Sequence, residues 1–192
     1  MINGLVYRST GSWYDVKLDS GDFIEARLVG KLRTKGIRTT NPIAVGDKVD
    51  LIIDKDNKGV IQSIVKRKNY IIRKSVNLSK EAHIIAANID LAILVVTIAY
   101  PVTSPGFIDR FTVTAEAYGI PVLIVFNKID LFNEKENNLL LEFEEAYKKA
   151  GYTTLRTSAQ NKDGVVELND LIHGKTVLFS GNSGAGKSTL IN

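Results

Sequence analysis

The chain has 192 residues, 44% of them apolar and 24% charged, and its 25 Lys and Arg outnumber 21 Asp and Glu to give a net charge of +4. That balance suits one or two globular domains with a buried core, and the absence of cysteine excludes disulfides and thiolate metal sites within these residues. No apolar run approaches the roughly eighteen residues of a spanning helix, and MINGLVYRSTGSW lacks the charged-then-apolar pattern of a signal peptide, so a cytoplasmic protein with no membrane partner is expected.

Residues 1–68 read as short strands separated by turn signals, with no helix-length period. The expected strands are Gly4–Tyr7, Trp13–Leu18, Phe23–Leu28, Lys48–Ile53 and Val60–Val65. Five strands in so short a stretch favour an all-β OB-type barrel, with an SH3-like barrel as the rival. Asp56-Asn57-Lys58-Gly59 fits D-x-x-G, but strands flank it on both sides and it reads as a hairpin turn. The charge is uneven: residues 1–74 hold 15 Lys and Arg against 8 Asp and Glu, a surplus of +7, whereas residues 75–192 hold 10 against 13, or −3. A basic first domain points to a polyanion, and nucleic acid fits better than membrane because no basic amphipathic helix is present. Lys31, Arg33, Lys35 and Arg38 crowd the loop-like segment after the third strand and are the candidate RNA-binding residues. Trp13, Tyr7 and Tyr14 are candidates for base stacking or for ordinary cross-strand packing.

Residues 69–87 mix charge with short apolar runs and read as a linker. From residue 88 the pattern changes to apolar strands alternating with amphipathic helices, the signature of an α/β domain with a parallel sheet. Strands are expected at Leu91–Ile98, Pro121–Phe126, Thr153–Arg156 and Val177–Phe179, and helices at Ile108–Tyr118, Glu134–Lys149 and Val165–Leu171. Ligands of such sheets bind beyond the carboxyl ends of the strands.

Three of those ends carry chemistry. Asn127-Lys128-Ile129-Asp130 follows one strand, and Thr157-Ser158-Ala159 follows the next. A carboxylate at Asp130 can accept two hydrogen bonds from the N1–H and 2-amino edge of guanine, which adenine does not offer. Lys128 can lay its stem along the base, Asn127 can tie neighbouring loops together, and the N–H groups of Ser158 and Ala159 can donate to the guanine carbonyl. After the last strand, Gly181-Asn182-Ser183-Gly184-Ala185-Gly186-Lys187-Ser188-Thr189 contains G-x-x-x-x-G-K-[ST], the loop that cradles phosphates. Its glycines let backbone N–H groups approach an anion, Lys187 would reach the outer phosphates, and the Ser188 hydroxyl would ligate magnesium. A helix opening at Ser188 has barely one turn by Asn192, so the sequence reads as a piece of a longer protein.

The order is inverted relative to conventional GTPases, in which the phosphate loop precedes the base-reading loops. Circular permutation explains it, and so would two tandem GTPases, although residues 1–126 hold no second phosphate loop. A basic strand-rich domain followed by NKID, TSA and GNSGAGKST in that order resembles the ribosome small-subunit-dependent GTPase A family, RsgA, also called YjeQ. The likeness extends through HIIAANIDLAILVV and FIDRFTVTAEAYGIPVLIVFNKIDL. It implies a bacterial GTPase that binds GTP or GDP with magnesium, joins the small (30S) ribosomal subunit late in its maturation, contacts ribosomal RNA as a monomer, and is stimulated by that subunit. Ala185 stands where the family has valine. The family's switch segments, D-x-x-G motif and zinc-binding domain would follow Asn192, so no residue here is assigned to position the attacking water, and these residues alone are expected to hydrolyse GTP negligibly. Two other functions stay open: an RNA-binding assembly factor with nucleotide as a structural ligand, and an ATP-specific P-loop protein.

Overall fold

The computed structural model describes residues 1–28, 42–74 and 82–192, which form two compact units, 1–89 and 90–192. In the first unit, β1 (Ile2–Thr10), β2 (Trp13–Leu18), β3 (Phe23–Leu28), β4 (Lys48–Ile53) and β5 (Gly59–Ile64) close a barrel in the order β1-β2-β3-β5-β4. β1 pairs antiparallel with both β2 and β4, and β3 closes the barrel with a parallel pairing to β5. This is the five-stranded OB arrangement rather than an SH3-like one. Alternation along the strands sends Val6, Tyr14, Val16, Ala26, Val49, Leu51 and Ile61 inward, where Ile43 joins them in the core. Tyr14 is therefore a core residue, 2% exposed, and not a stacking surface. The Asp56–Gly59 stretch is the β4–β5 turn as expected: the Asp54 N–H donates to the Lys58 carbonyl at 2.8 Å, and Asn57 adopts φ +57°.

The stretch read as a linker contains two antiparallel strands, β6 (Tyr70–Lys74) and β7 (Ala82–Ala87). They join the barrel through backbone and asparagine groups. The Ala87 N–H donates to the Val45 carbonyl at 2.9 Å and Asn88 Nδ2 donates to the Gly46 carbonyl at 2.8 Å, while Asn69 closes the open end of the hairpin by exchanging two 2.8 Å bonds with the backbone of Ile89.

The second unit holds an all-parallel sheet in the order β10-β9-β8-β11, from β8 (Leu91–Val96), β9 (Val122–Asn127), β10 (Thr153–Thr157) and β11 (Val177–Ser180). Ile93, Val95, Leu123, Val125 and Leu155 share one face, buried against Leu168 of α3 (Val165–Ile172) and Leu190 of α4 (Lys187–Ile191). On the other face the Phe126 ring meets Phe143 of α2 (Glu134–Lys149) edge-on at 6.5 Å, and α1 (Pro105–Ala117) packs on β8 and β9. Helices on both faces explain why β8 and β9 are almost wholly apolar. α1 starts three residues earlier than expected because Pro105 occupies the first helical turn, where its missing N–H costs nothing. β8 ends two residues early because Thr97 turns to Thr103: the Thr103 N–H donates to the Thr97 carbonyl at 2.9 Å, and the Thr97 N–H donates back to Thr103 Oγ1 at 3.2 Å.

Candidate functional site

Because the sheet is parallel, the segments after β9, β10 and β11 leave it at one edge. Asn127 joins them. Its side chain is buried, Nδ2 donates to the Ala185 carbonyl at 2.9 Å, and Oδ1 accepts from Thr157 Oγ1 at 3.0 Å and from the Ala159 N–H at 3.4 Å. The NKID, TSA and GNSGAGKS segments thus meet on one carboxamide, which supplies both a donor and an acceptor.

Beyond Asn127 the chain turns through Lys128 in the left-handed region, φ +65°, into a single 3-10 turn over Ile129–Leu131. That turn leaves Asp130 exposed, with Oδ1 accepting from Ser158 Oγ at 2.5 Å. Ser158 Oγ itself accepts from the Asn161 N–H at 3.0 Å, so a fixed hydroxyl aims the carboxylate. The expectation that the Ser158 N–H serves a base meets a competitor, since it donates to the Asp163 carbonyl at 3.0 Å. The Ala159 N–H, held only by the long contact to Asn127, is the freer donor.

In the glycine-rich loop Gly181 has φ +140° and Gly186 φ +95°. A Cβ at Gly181 would lie 2.1 Å from the Val95 carbonyl oxygen, and one at Gly186 would lie 2.3 Å from Asn127 Nδ2. Only glycine fits either place. Lys187 folds back across the loop, donating to the carbonyls of Gly181 and Asn182 at 2.8 Å each. An ammonium has three donors, so one remains for an anion. Ser188 follows, offering the kind of oxygen donor that magnesium takes. Ala185 is fully buried among the sheet residues that α3 and α4 cover, so exchange with valine would be felt in packing and not at the loop mouth.

A fourth strand end, invisible in the motifs, also contributes. The segment after β8 brings the Tyr100 carbonyl to Lys128 Nζ at 2.7 Å and sets Pro101 beside Gly184. A backbone acceptor has no sequence signature, and Tyr100 could not have been singled out from composition or spacing. Lys31, Arg33, Lys35 and Arg38 lie outside the described residues. Among the described residues no group of three or more His, Asp or Glu gathers closely enough to hold a metal, and no helix is long and apolar enough to cross a membrane.

Residues 64–192 match the RsgA GTPase family, and residues 3–61 match the RsgA N-terminal domain. The chain belongs to the RsgA GTPase family. A relative from Flavobacterium johnsoniae, named small ribosomal subunit biogenesis GTPase RsgA, is 54% identical over the whole of this chain and 60% of its own length. A Bacteroides thetaiotaomicron relative, small ribosomal subunit biogenesis GTPase RsgA 2, is 52% identical over the whole chain and 62% of its own. The crystal structure of YjeQ from Thermotoga maritima superposes with a TM-score of 0.81 at 35% identity, covering all of this chain and 64% of that one. YloQ, described as a circularly permuted GTPase, gives 0.73 at 29% identity, covering all of this chain and 63% of that one. The chain spans about 60% of the length of the curated relatives it matches. Membership in the RsgA family accounts for the inverted loop order: this is a permuted GTPase sheet behind an OB-type barrel.

Proposed function

We propose that this protein binds GTP with magnesium at the edge where β9, β10 and β11 end, hydrolyses it, and acts in maturation of the small ribosomal subunit while its barrel contacts ribosomal RNA. The observation that carries the reading is the Asn127 side chain, which ties a phosphate-type loop to the segment whose Ser158 hydroxyl holds a carboxylate suited to guanine. The relatives' names, small ribosomal subunit biogenesis GTPases, support the biological half.

In this reading the backbone of Gly181–Thr189 wraps the phosphates, helped by the first N–H groups of α4, which have no carbonyl within the helix. Lys187 turns its third donor to the outer phosphates and offsets charge gathering there as water displaces the diphosphate. Ser188 would hold magnesium, which when bound would supply positive charge against the phosphates. Asp130 receives the guanine edge, the stem of Lys128 flanks the ring while its ammonium stays on Tyr100, and the Ala159 N–H serves the base carbonyl. Lys31, Arg33, Lys35 and Arg38 contact RNA phosphates. The protein works in the cytoplasm as a monomer, and the zinc implied by family resemblance concerns no residue up to Asn192.

Competition between GTP and ATP tests the base assignment. Asp130→Asn loses the charged acceptor, so GTP affinity should fall about 10- to 100-fold while ATP binding stays weak and little changed. An unaltered GTP-to-ATP ratio would remove Asp130 from base recognition, and a parent protein that prefers ATP would be the ATP-specific one. Turnover of the full-length protein measured with and without small subunits tests the coupling: stimulation is expected, and indifference would make the nucleotide a structural ligand.

A further inference from the structure

We propose that the outward face of β1, β2 and β3 is a stacking site for an unpaired base of single-stranded RNA, built from Tyr7, Phe23 and Lys17. The inference rests on the RNA-binding reading above and deepens it by naming a surface and the strandedness of the ligand.

The barrel sends Val6, Val16 and Ala26 inward, and the residues between them should be polar if that face only met water. Instead Tyr7, Trp13 and Phe23 stand there, 49%, 39% and 60% exposed. Alternation after Val6 turns Tyr7 outward, and a bulge adds its neighbour. The β1–β2 register shifts between Val6 and Arg8, so two consecutive residues, Tyr7 and Arg8, face out. On β2, Lys17 pairs with Phe23 on one side and Leu5 on the other, and the Tyr7 and Phe23 rings meet edge-to-face at 5.3 Å, 81° apart. The Lys17 ammonium lies 5.7 Å from the Tyr7 ring and 5.9 Å from the Phe23 ring. Along the same strand Lys58 Nζ approaches the Trp13 ring at 6.0 Å, a second platform of the same kind.

The charges select the partner. Three carboxylates of this region are matched by a cation, Asp15 by Arg8 at 4.0 Å, Glu25 by Lys58 at 2.5 Å, and Asp54 by Arg27 at 3.4 Å, while Asp19 and Asp22 in the β2–β3 turn have no ion pair among the described residues. Lys17 has no carboxylate within 4.0 Å among the described residues. An unmatched cation beside open ring surface suits a ligand that pairs a phosphate with a flat apolar face, which an unstacked nucleotide does. A duplex hides those faces within its own stack. The surrounding residues 1–74 carry a surplus of +7, which disfavours a basic protein segment as the occupant.

The test uses a 12-nucleotide uridine-rich RNA carrying one 2-aminopurine, free or annealed to its complement, and the full 192-residue protein. The single strand should bind at least about tenfold more tightly than the duplex, with a change in 2-aminopurine fluorescence on binding. Phe23→Ala and Tyr7→Ala should each weaken it about 5- to 100-fold, whereas Phe23→Trp should hold the parent affinity. Lys17→Ala should weaken binding and lower the slope of log affinity against log salt by about 0.7. Phe23→Leu keeps an apolar side chain without a π-face; its loss of binding at unchanged melting temperature separates stacking from folding. RNA bound equally by parent, Phe23→Ala and Phe23→Leu proteins would overturn this site and leave the RNA reading intact. No RNA bound by the parent protein would overturn both, and duplex bound as tightly as single strand would overturn the stacking.

Discussion

At the scale of single residues the site depends on Asn127, because one buried carboxamide serves three loops. Asn127→Ala removes a donor from the Ala185 carbonyl and an acceptor from Thr157 Oγ1, and each group left unpaired costs about 1–3 kcal/mol. Thermal melting should show that loss, and GTP affinity should drop at least about tenfold as the loops separate. Asn127→Asp keeps the acceptor but sets a buried carboxylate oxygen against the Ala185 carbonyl and a negative charge beside the phosphate loop. It should therefore melt below the parent, as the alanine variant does, while binding GTP no better. Melting of both variants at the parent's temperature would mean that Asn127 does not hold the loops. Asp130 and Lys187 were legible in the sequence as candidates, since residue type and spacing mark them. The Ser158 hydroxyl that aims Asp130 and the Tyr100 carbonyl that holds Lys128 were not, because both depend on where folding brings an ordinary oxygen.

Among the elements, α2 could be read to its last residue. Asn133 caps it, accepting from the Glu136 N–H at 3.0 Å while Glu136 accepts from the Asn133 N–H at 2.9 Å, and Lys148 and Lys149 suit its carboxyl end. β6 and β7 escaped notice because they pair with each other, and the ties of Ala87 and Asn88 to Val45 and Gly46, far away in sequence, leave no periodic signal in residues 69–87. The tie between α2 and β10 makes a prediction in pH. Glu144 is nearly buried and takes two bonds from the half-exposed Arg156, at 3.0 and 2.5 Å, with Lys148 at 3.8 Å. The Arg156 guanidinium holds its carboxyl below the usual range despite partial burial, and Lys148 adds to the effect. A depressed carboxyl stabilises the fold above its unfolded value near 4.5, and the stabilisation disappears as pH falls through the lowered value. Glu144→Gln should thus cost about 1–3 kcal/mol at pH 7, and the gap to the parent should close in acid. Denaturant unfolding at a series of pH values checks it; a gap independent of pH would mean that packing, not charge, supplies the difference.

For the whole molecule, permutation moves the chain ends without moving the site, so the order of motifs could be read while the sheet they share had to be inferred. The division into residues 1–89 and 90–192 has an energetic consequence that one buried pair can test. Asp47 is fully buried and takes Arg67 Nε at 2.7 Å and Nη2 at 2.6 Å, and it also accepts from the Ala44 N–H at 2.8 Å. Arg67 in turn donates to the Pro42 carbonyl at 2.8 Å, so every partner lies in the first unit. Asp47→Asn leaves the guanidinium without its counter-charge, a loss of about 3–5 kcal/mol when a buried pair is broken. Amide exchange should quicken across β1–β5 and stay slow in β8 and β9, and GTP affinity should hold within about threefold, because local opening is confined to the cooperative unit that loses the contact. If exchange rose equally in both sheets, or if GTP binding weakened tenfold, the barrel and the parallel sheet would have to fold as one cooperative body.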